Sequence, residues 1–310
     1  MEQKYSNYME KYSTILFKYV YWTFVPRVFK NFLLQFTKWH NLKKEVIQYL
    51  SKEVEQTHDS EKIEALEWLK KNPIAVSLYN PSVKYKMSAI RVYKDHDMRY
   101  VLYENKRLYF PVGWEKLRVK NEFYALLREQ EINSPHRYEH EKYCVKENDI
   151  VVDLGAAEGI FSLHVIEKAA KIYLFECDEM WLPALRKTFE PWKEKIVIVN
   201  KYISDHTDNT NLTMDNFIAE IGENINFIKA DIEGAELQLL KGADNLITNS
   251  KNICMALCTY HRKEDEKDLK QILQEKGFTT EYSKNYMLYF ERQDLTPPYL
   301  RRGIIRAIKN

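Results

Sequence analysis

Short apolar runs and amphipathic stretches alternate along the second half of the chain. The apolar runs have the length of strands buried on both faces, and the stretches between them have helical spacing. Strands are predicted near residues 150–154, 171–176, 196–200, 225–231 and 252–258, and helices near 159–169, 179–190, 215–221, 235–247 and 263–276. This order predicts an α/β fold with a doubly wound, mainly parallel sheet, whose ligand crevice lies at the carboxyl ends of the strands.

Two further apolar runs follow the last of these helices. Residues 278–282 and 286–290 suit an antiparallel pair at the edge of the sheet. The tail from Leu295 onward carries four Arg or Lys residues and no acid. We expect this tail to form a surface helix, with contact to an anionic surface as the alternative.

The first half of the chain divides into two regions. Residues 1–80 are rich in aromatic side chains at helical spacing and are predicted to form a helical N-terminal region. Residues 81–144 first alternate polar and apolar positions, which predicts small antiparallel hairpins with a turn at residues 104–106, and then return to helical spacing before a lid-like loop. The α/β domain is assigned to residues 145–292 and the basic C-terminal tail to residues 293–310.

Composition narrows the class of protein. The 47 basic and 45 acidic residues leave a net charge of +2, so charge gives no reason to expect a nucleic-acid partner. The four cysteines are scattered, which suits free thiols in a reducing cytosol rather than a disulfide framework. The N-terminus lacks the layout of a secretory signal, and no apolar run of about 18 residues predicts a membrane span. We therefore expect a cytoplasmic protein.

The first fifty residues contain eight Lys or Arg against three Glu, interleaved with aromatic side chains. Such a helix packs on its own domain or on a second subunit, and it also suits the surface of a membrane. Packing is the favoured interpretation. Peripheral membrane contact through residues 1–50 and a homo-oligomer are left open.

A glycine-containing turn follows the first strand of the α/β domain. Residues 149–159 read DIVVDLGAAEG, in which Gly155, Ala156 and Gly159 form a sharp turn at the entrance to a helix. Backbone N–H groups at such a turn meet a ligand. The next apolar run ends in Glu176, where a second strand delivers a carboxylate to ribose hydroxyls. Together these residues predict a nucleoside-binding crevice.

Two classes of nucleoside cofactor suit this geometry. A nicotinamide dinucleotide needs a bare glycine in the middle of the turn so that the backbone approaches the pyrophosphate, whereas this chain has Ala157. Asp153 would repel a pyrophosphate but would attract the ammonium and sulfonium of S-adenosylmethionine. The residues favour S-adenosylmethionine, and an NAD(P)-dependent oxidoreductase remains the alternative. Asp205, after the third strand, is expected near the adenine.

A second group of polar residues follows the fourth strand. Asp231 and Glu233 come at the exit of the strand and Glu236 at the start of the next helix, while His261 follows the fifth strand at the same edge of the sheet. Acids gathered this closely need a ligand, a metal or a helix N-terminus to stabilise them. We expect Asp231, Glu233 and His261 to face an acceptor, with one of them the general base and Glu236 a second-tier candidate.

No residue is assigned as a metal ligand. Two carboxylates such as Asp231 and Glu233 suit a divalent cation such as Mg²⁺. No spacing in the sequence requires one, so the cation is left as an alternative.

Several segments resemble the FkbM-type methyltransferases. They are DLGAAEG at 153–159, IKADIEGAE at 228–236, CTYHRKEDEKDL at 258–269 and SPHRY at 134–138. The resemblance covers roughly residues 105–290. The family commonly has Asn in place of Ala157.

This resemblance implies a class I methyltransferase fold and S-adenosylmethionine-dependent methylation of a hydroxyl, often one of a sugar or a polysaccharide precursor. The implied partner is therefore a small-molecule or glycan substrate. Apart from the resemblance, His136 and Arg137 lie in the loop upstream of the first strand, where they would close over the site or cap a helix. A non-catalytic scaffold with the same fold is the remaining alternative.

Overall fold

The computed structural model describes residues 27–290, Arg292 and residues 295–310, with side chains from residue 37 onward. The N-terminal region contains the helices α1 (Arg27–Thr57) and α2 (Ser60–Lys71). Asp59 caps α2, because its carboxylate accepts the N–H groups of Glu61 and Lys62. The expected membrane or subunit contact of residues 1–50 lies largely outside the described residues and stays a prediction.

A small antiparallel sheet follows, as predicted. It consists of β1 (Tyr93–Asp95), β2 (Met98–Tyr103) and β3 (Lys106–Phe110), and the helix α3 (Lys116–Glu129) comes next. Glu104 and Asn105 form the hairpin turn with φ of 48° and 63°, the positive values that a tight two-residue hairpin requires.

The α/β domain has a seven-stranded sheet in the order β11-β12-β10-β9-β4-β5-β6. Its strands are β4 (Ile150–Leu154), β5 (Lys171–Phe175), β6 (Ile196–Val199), β9 (Phe227–Ala230), β10 (Ile253–Cys258), β11 (Thr279–Tyr282) and β12 (Ile304–Lys309), and β7 (Tyr202–Ile203) pairs with β8 (Asn211–Leu212) outside it. The helices are α4 (Ile160–Val165), α5 (Leu182–Thr188), α6 (Met214–Ile221), α7 (Glu236–Lys241), α8 (Asp244–Asn249) and α9 (Asp265–Glu275), with 3₁₀ turns at Met87–Ala89 and Glu190–Trp192. The predicted fold class is confirmed. The exact domain boundaries stay a prediction.

The antiparallel edge contains a different strand from the one predicted. β12 runs antiparallel to both β10 and β11, whereas residues 286–290 form no strand. The expected surface helix in the tail is therefore wrong for Ile304–Lys309. The two basic residues of β12 suggested a surface segment, but Arg306 is buried and its guanidinium donates to the carbonyl oxygens of Tyr138 and Arg137.

The connection between β11 and β12 carries the contact with the N-terminal helices. Val46 and Leu50 of α1 and Leu69 of α2 pack in one apolar cluster with Tyr299 and Leu300 of that connection. Within the described part of the chain, no helix has the length and hydropathy that crossing a membrane requires.

Candidate functional site

A crevice of about 720 Å³ opens at the carboxyl ends of β4, β5 and β9. The strand order reverses between β4 and β9, which is where open α/β sheets bind ligands. The lining comes from four segments: Gly155 and Ala157; Phe175 to Glu179 with Trp181; Lys201 to Ile203; and Asp231, Ile232, Glu233 and Ala235. The crevice therefore joins the predicted nucleoside turn to the predicted acidic strand exit.

The turn after β4 needs its glycines. Gly155 has φ of +72°, and a Cβ on it would lie 1.9 Å from the carbonyl oxygen of Asp231. Gly159 has φ of +82°, and its Cβ would meet the Phe189 ring at 2.8 Å. Only glycine allows both this backbone conformation and these close approaches. Ala157 also has positive φ, 46°, a conformation that Asn adopts more readily than Ala.

Glu176 is held in place by the backbone around it. One carboxylate oxygen accepts the N–H of Ala157 at 2.7 Å and the other accepts the N–H of Asp178 at 2.7 Å. Each oxygen keeps a lone pair for a further donor. A buried carboxylate fixed in this way at the end of β5 suits the hydroxyl groups of a ribose.

Asp153 has a different environment from the one expected. Its side chain is fully buried, with one oxygen 3.0 Å from Lys229 Nζ and the other accepting the hydroxyl of Ser162 at 2.6 Å. Asp153 does not line the crevice. Because Lys229 compensates its charge, the expected attraction of Asp153 for a cationic cofactor is not supported.

Ala156 and Asp205 also lie away from the crevice lining. The N–H of Ala156 donates to the carbonyl oxygen of Phe175, which fixes the turn against β5. The Asp205 carboxylate is exposed and contacts its neighbour His206 at 3.0 Å. Where the adenine was expected near Asp205, the crevice is lined instead by residues 201–203.

Asp231 receives four contacts at the opposite end of the crevice. The hydroxyls of Tyr138 and Tyr260 each donate to one of its oxygens at 2.9 Å. Nε2 of His136 lies 3.3 Å from one oxygen and Nε2 of His261 lies 3.4 Å from the other. Each oxygen of the carboxylate therefore accepts one tyrosine hydroxyl and lies close to one histidine ring.

These contacts set the protonation state of Asp231. Burial raises the pKa of its carboxyl, but the hydrogen bond and charge of His136, with the charge of Lys229, outweigh burial and lower the pKa below its ordinary value. A carboxylate with a lowered pKa and engaged oxygens is a weak proton acceptor. The geometry argues against Asp231 as the general base.

His261 and Glu236 form a buried pair beside Asp231. Nδ1 of His261 lies 3.0 Å from Oε1 of Glu236, which is fully buried and also accepts the N–H of Ile232. Burial lowers the pKa of His261, but the hydrogen bond and charge of Glu236 outweigh it and raise that pKa. With the Nδ1 proton directed at Glu236, Nε2 of the neutral ring is the acceptor.

Glu233 is the fourth member of the predicted acidic group. Its carboxylate is 92% exposed and lies 3.6 Å from Nε2 of His261. Its φ of 55° marks the tight turn that carries the chain from β9 into α7. The structure thus brings Asp231, Glu233, Glu236 and His261 together, as predicted from their positions at one edge of the sheet.

Three residues of this site were not predicted from the sequence. Tyr138 and Tyr260 contact Asp231 from segments that are 93 and 29 positions away in the chain. Lys229 compensates Asp153 from the adjacent strand. The signal available for Lys229 was a charged residue within an apolar strand, and the signal for Tyr138 and Tyr260 was their place in the segments 134–138 and 258–269 that carry the family resemblance.

The comparison with protein families decides the class of protein. A family model described as the methyltransferase FkbM domain matches residues 126–280, half of the chain. The chain belongs to the FkbM methyltransferase family. The predicted recognition is confirmed, and the prediction of a methyltransferase is confirmed at the level of the family. No curated protein matches this FkbM-family chain.

Three solved structures show a low similarity to this FkbM-family chain. The methyltransferase FkbM from Methylobacillus flagellatus KT is 20% identical with a TM-score of 0.43, over 63% of this chain and 55% of that one. A precorrin-6y C5,15-methyltransferase from Geobacter metallireducens GS-15 is 13% identical with a TM-score of 0.38, over 55% of this chain and 84% of that one. A putative methyltransferase from Streptococcus mutans in complex with SAH is 14% identical with a TM-score of 0.38, over 54% of this chain and 91% of that one. The first of these proteins is matched over little more than half of its length.

Proposed function

We propose that this protein is an S-adenosylmethionine-dependent O-methyltransferase that acts on a hydroxyl of a sugar or polysaccharide precursor. The observation that carries the proposal is the single crevice that is lined by Glu176 at one end and by Asp231 at the other, with His261 beside Asp231. A nucleoside site therefore shares one crevice with Asp231, and the buried ring of His261 contacts the Asp231 carboxylate at 3.4 Å, in a chain of a methyltransferase family.

The cofactor end of the crevice suits S-adenosylmethionine better than a dinucleotide. Glu176 would accept the ribose hydroxyls through its remaining lone pairs, while the positive-φ turn from Gly155 to Gly159 offers a close approach to the methionine part. Ala157 presents its side chain to the crevice where a pyrophosphate needs bare backbone. These residues count against the NAD(P)-dependent alternative.

The end of the crevice at Asp231, here called the acceptor end because the methyl acceptor would bind there, lies beside a group that can take up a proton. When bound, S-adenosylmethionine provides a methyl group on a sulfonium, which an oxygen nucleophile displaces in line. Holding the acceptor oxygen in line and removing its proton are the tasks left to the protein. His261 would take the proton at Nε2, and Glu236 would stabilise the resulting imidazolium through Nδ1. Asp231, whose oxygens accept the hydroxyls of Tyr138 and Tyr260, would stabilise the imidazolium by its charge rather than accept the proton.

A sugar hydroxyl is the acceptor that best suits this end of the crevice. The mouth carries the exposed carboxylate of Glu233 beside the His261 ring, and such oxygens accept hydrogen bonds from the vicinal hydroxyls of a carbohydrate. Residues 134–138 resemble a segment of family members that are linked to sugar and polysaccharide pathways, which supports the same class of methyl acceptor. Tyr138 and His136 of that segment contact Asp231.

The experiment is a methyl-transfer assay with radiolabelled S-adenosylmethionine and a panel of mono- and oligosaccharides. A methyl ether differs from a methyl ester because it survives mild base, so on saccharides without amino groups base treatment distinguishes O-methylation of a hydroxyl from that of a carboxylate. Label that is stable to base and absent with His261→Ala supports the proposal. Label that is released by base, or that appears equally with His261→Ala, contradicts it.

The divalent cation is tested separately. In this proposal the proton goes to His261, whose two ring nitrogens already contact Glu236 and Asp231, and no step needs a cation. Turnover should therefore survive dialysis against EDTA. Turnover that is lost with EDTA and regained with Mg²⁺ would show that the acceptor is activated by a cation instead.

A further inference from the structure

Lys229 is a buried cation within an otherwise apolar strand. It lies on β9 between Ile228 and Ala230, and only 4% of the residue is exposed. Placing an ammonium group in an apolar interior is costly unless strong partners replace water. The buried ammonium of Lys229 therefore depends on its contacts with neighbouring residues, which fall into two sets.

The first set of partners lies in the turn that holds the cofactor. Lys229 is the cross-strand neighbour of Asp153, and its Nζ lies 3.0 Å from the Asp153 carboxylate. The same ammonium donates to the carbonyl oxygens of Gly155 at 2.5 Å and Leu154 at 3.3 Å. The ion-pair partner and both hydrogen-bond acceptors belong to the end of β4 and the start of the glycine turn. Lys229 thus fixes the direction of the Gly155 peptide, next to the crevice.

The second set of partners lies at the acceptor end. Nζ of Lys229 is 5.2 Å from the centre of the Tyr138 ring, within the range of a cation–π contact. The hydroxyl of Tyr138 donates to Asp231, two positions beyond Lys229 in the chain. The Asp231 carbonyl in turn lies so close to Gly155 that a Cβ there would be 1.9 Å away.

We propose that Lys229 is a positioning residue that ties the cofactor end of the crevice to the acceptor end. Its ammonium group holds the Gly155 turn on one side and the Tyr138–Asp231 contact on the other, so the two ends keep a fixed spacing. This inference rests on the proposed methyl transfer, in which that spacing decides whether an acceptor oxygen lies in line with the methyl group.

The test uses a variant that removes the charge without leaving a buried ion alone. Lys229→Met with Asp153→Asn replaces the ion pair by groups of similar size, and Asn can still accept the hydroxyl of Ser162. The matched control is Lys171→Met with Glu223→Gln, an ion pair of 2.8 Å at the opposite ends of the strands. Calorimetric titration with S-adenosylhomocysteine should show an affinity about 10-fold weaker for the first variant and unchanged for the control.

A second measurement separates positioning from mere stability. Burial lowers the pKa of His136 and Asp231 raises it, while the charge of Lys229 is one of the influences that lower it. Removing that charge should raise the pKa of His136, read from the NMR titration of its ring, and the control should leave it unchanged. A folded Lys229→Met/Asp153→Asn protein with wild-type affinity for S-adenosylhomocysteine, or with an unmoved His136 titration, overturns the proposal. Wild-type protein that binds no S-adenosylhomocysteine would contradict the proposed function instead. The His136 titration would still test whether Lys229 connects the Gly155 turn to the Tyr138–Asp231 contact.

Discussion

Nδ1 of His261 lies 3.0 Å from Oε1 of Glu236, a carboxylate that is fully buried. A histidine whose Nδ1 proton is directed at a carboxylate presents Nε2 as the acceptor and is stabilised once it becomes protonated. The two residues come from different elements, the exit of β10 and the first turn of α7. This pair is the strongest chemical feature at the acceptor end of the crevice.

Replacing His261 should separate chemistry from cofactor binding. His261→Ala removes the proton acceptor but lies beyond the cofactor end, so affinity for S-adenosylhomocysteine should stay within twofold while turnover falls about 10²- to 10⁴-fold. His206→Ala, which alters an exposed histidine outside the crevice, is the matched control and should leave both unchanged. Full activity of His261→Ala on the true acceptor would remove His261 from the mechanism.

Glu236→Gln should move the protonation of His261 in a defined direction. In the wild type, contact with Glu236 raises the pKa of His261 above 6.5, so a reaction that needs the neutral ring should gain rate as pH rises through a value above 6.5. Gln removes the charge that favours the imidazolium, and the acid limb of turnover should therefore shift to lower pH. An NMR titration of the His261 ring should show the same downward shift. An unmoved limb would show that another group takes the proton.

Glu176→Gln should weaken cofactor binding. The amide NH₂ of Gln cannot accept the N–H of Ala157 or of Asp178, so one of these two backbone donors loses its partner. We expect affinity for S-adenosylhomocysteine to fall about 10-fold or more, which corresponds to about 1.4 kcal/mol or more. Glu194→Gln changes an exposed carboxylate away from the crevice and serves as the control in the same calorimetric titration.

Gly155→Ala should damage both stability and the site. Its Cβ would meet the backbone of Asp231 at 1.9 Å, and its φ of +72° adds strain. Gly113→Ala isolates the strain, because Gly113 has φ of +79° with nothing within 4 Å of the added Cβ. Gly113→Ala should cost about 1 kcal/mol of unfolding free energy in denaturant titration. Gly155→Ala should cost clearly more and lose measurable S-adenosylhomocysteine binding, and equal effects of the two variants would contradict this description of the turn.

Truncation after Gly303 tests the corrected sheet edge. β12 lies between β10 and β11, and Ile304, Ile305 and Ala307 are fully buried. The free energy lost with an interior strand exceeds the unfolding free energy of a typical domain, about 5–15 kcal/mol. Circular dichroism should therefore show that the shortened chain is unfolded. Removal of Asn310 alone should leave the unfolding temperature unchanged. A folded, cofactor-binding chain that ends at Gly303 would contradict the interior position of β12 and favour the predicted surface segment.

The local features of the fold could be predicted from the sequence because they depend on residues close together in the chain. The turn from Gly155 to Gly159 and the hairpin at Glu104–Asn105 each follow from backbone conformations that few residues adopt. The gathering of Asp231 and His261 followed from a general property of parallel sheets, whose strand ends meet at one edge.

The remaining features depend on contacts between distant segments. Asp153 was expected to serve the cofactor, yet its partner Lys229 belongs to a strand that becomes its neighbour only in the folded sheet. Tyr138 contacts Asp231, which lies 93 positions away in the chain, and the hydrophobic periodicity of a sequence does not predict a contact at that separation. β12 was mistaken for a surface segment because the distant carbonyl groups that satisfy Arg306 cannot be read from the sequence.

Calorimetric titration of the wild-type protein with S-adenosylmethionine, S-adenosylhomocysteine and NAD tests the central claim most directly. The crevice between Glu176 and Asp231 should bind one equivalent of S-adenosylmethionine or S-adenosylhomocysteine and give no heat with NAD. Folded protein with no affinity for either S-adenosyl compound, or with a preference for NAD, would contradict the account.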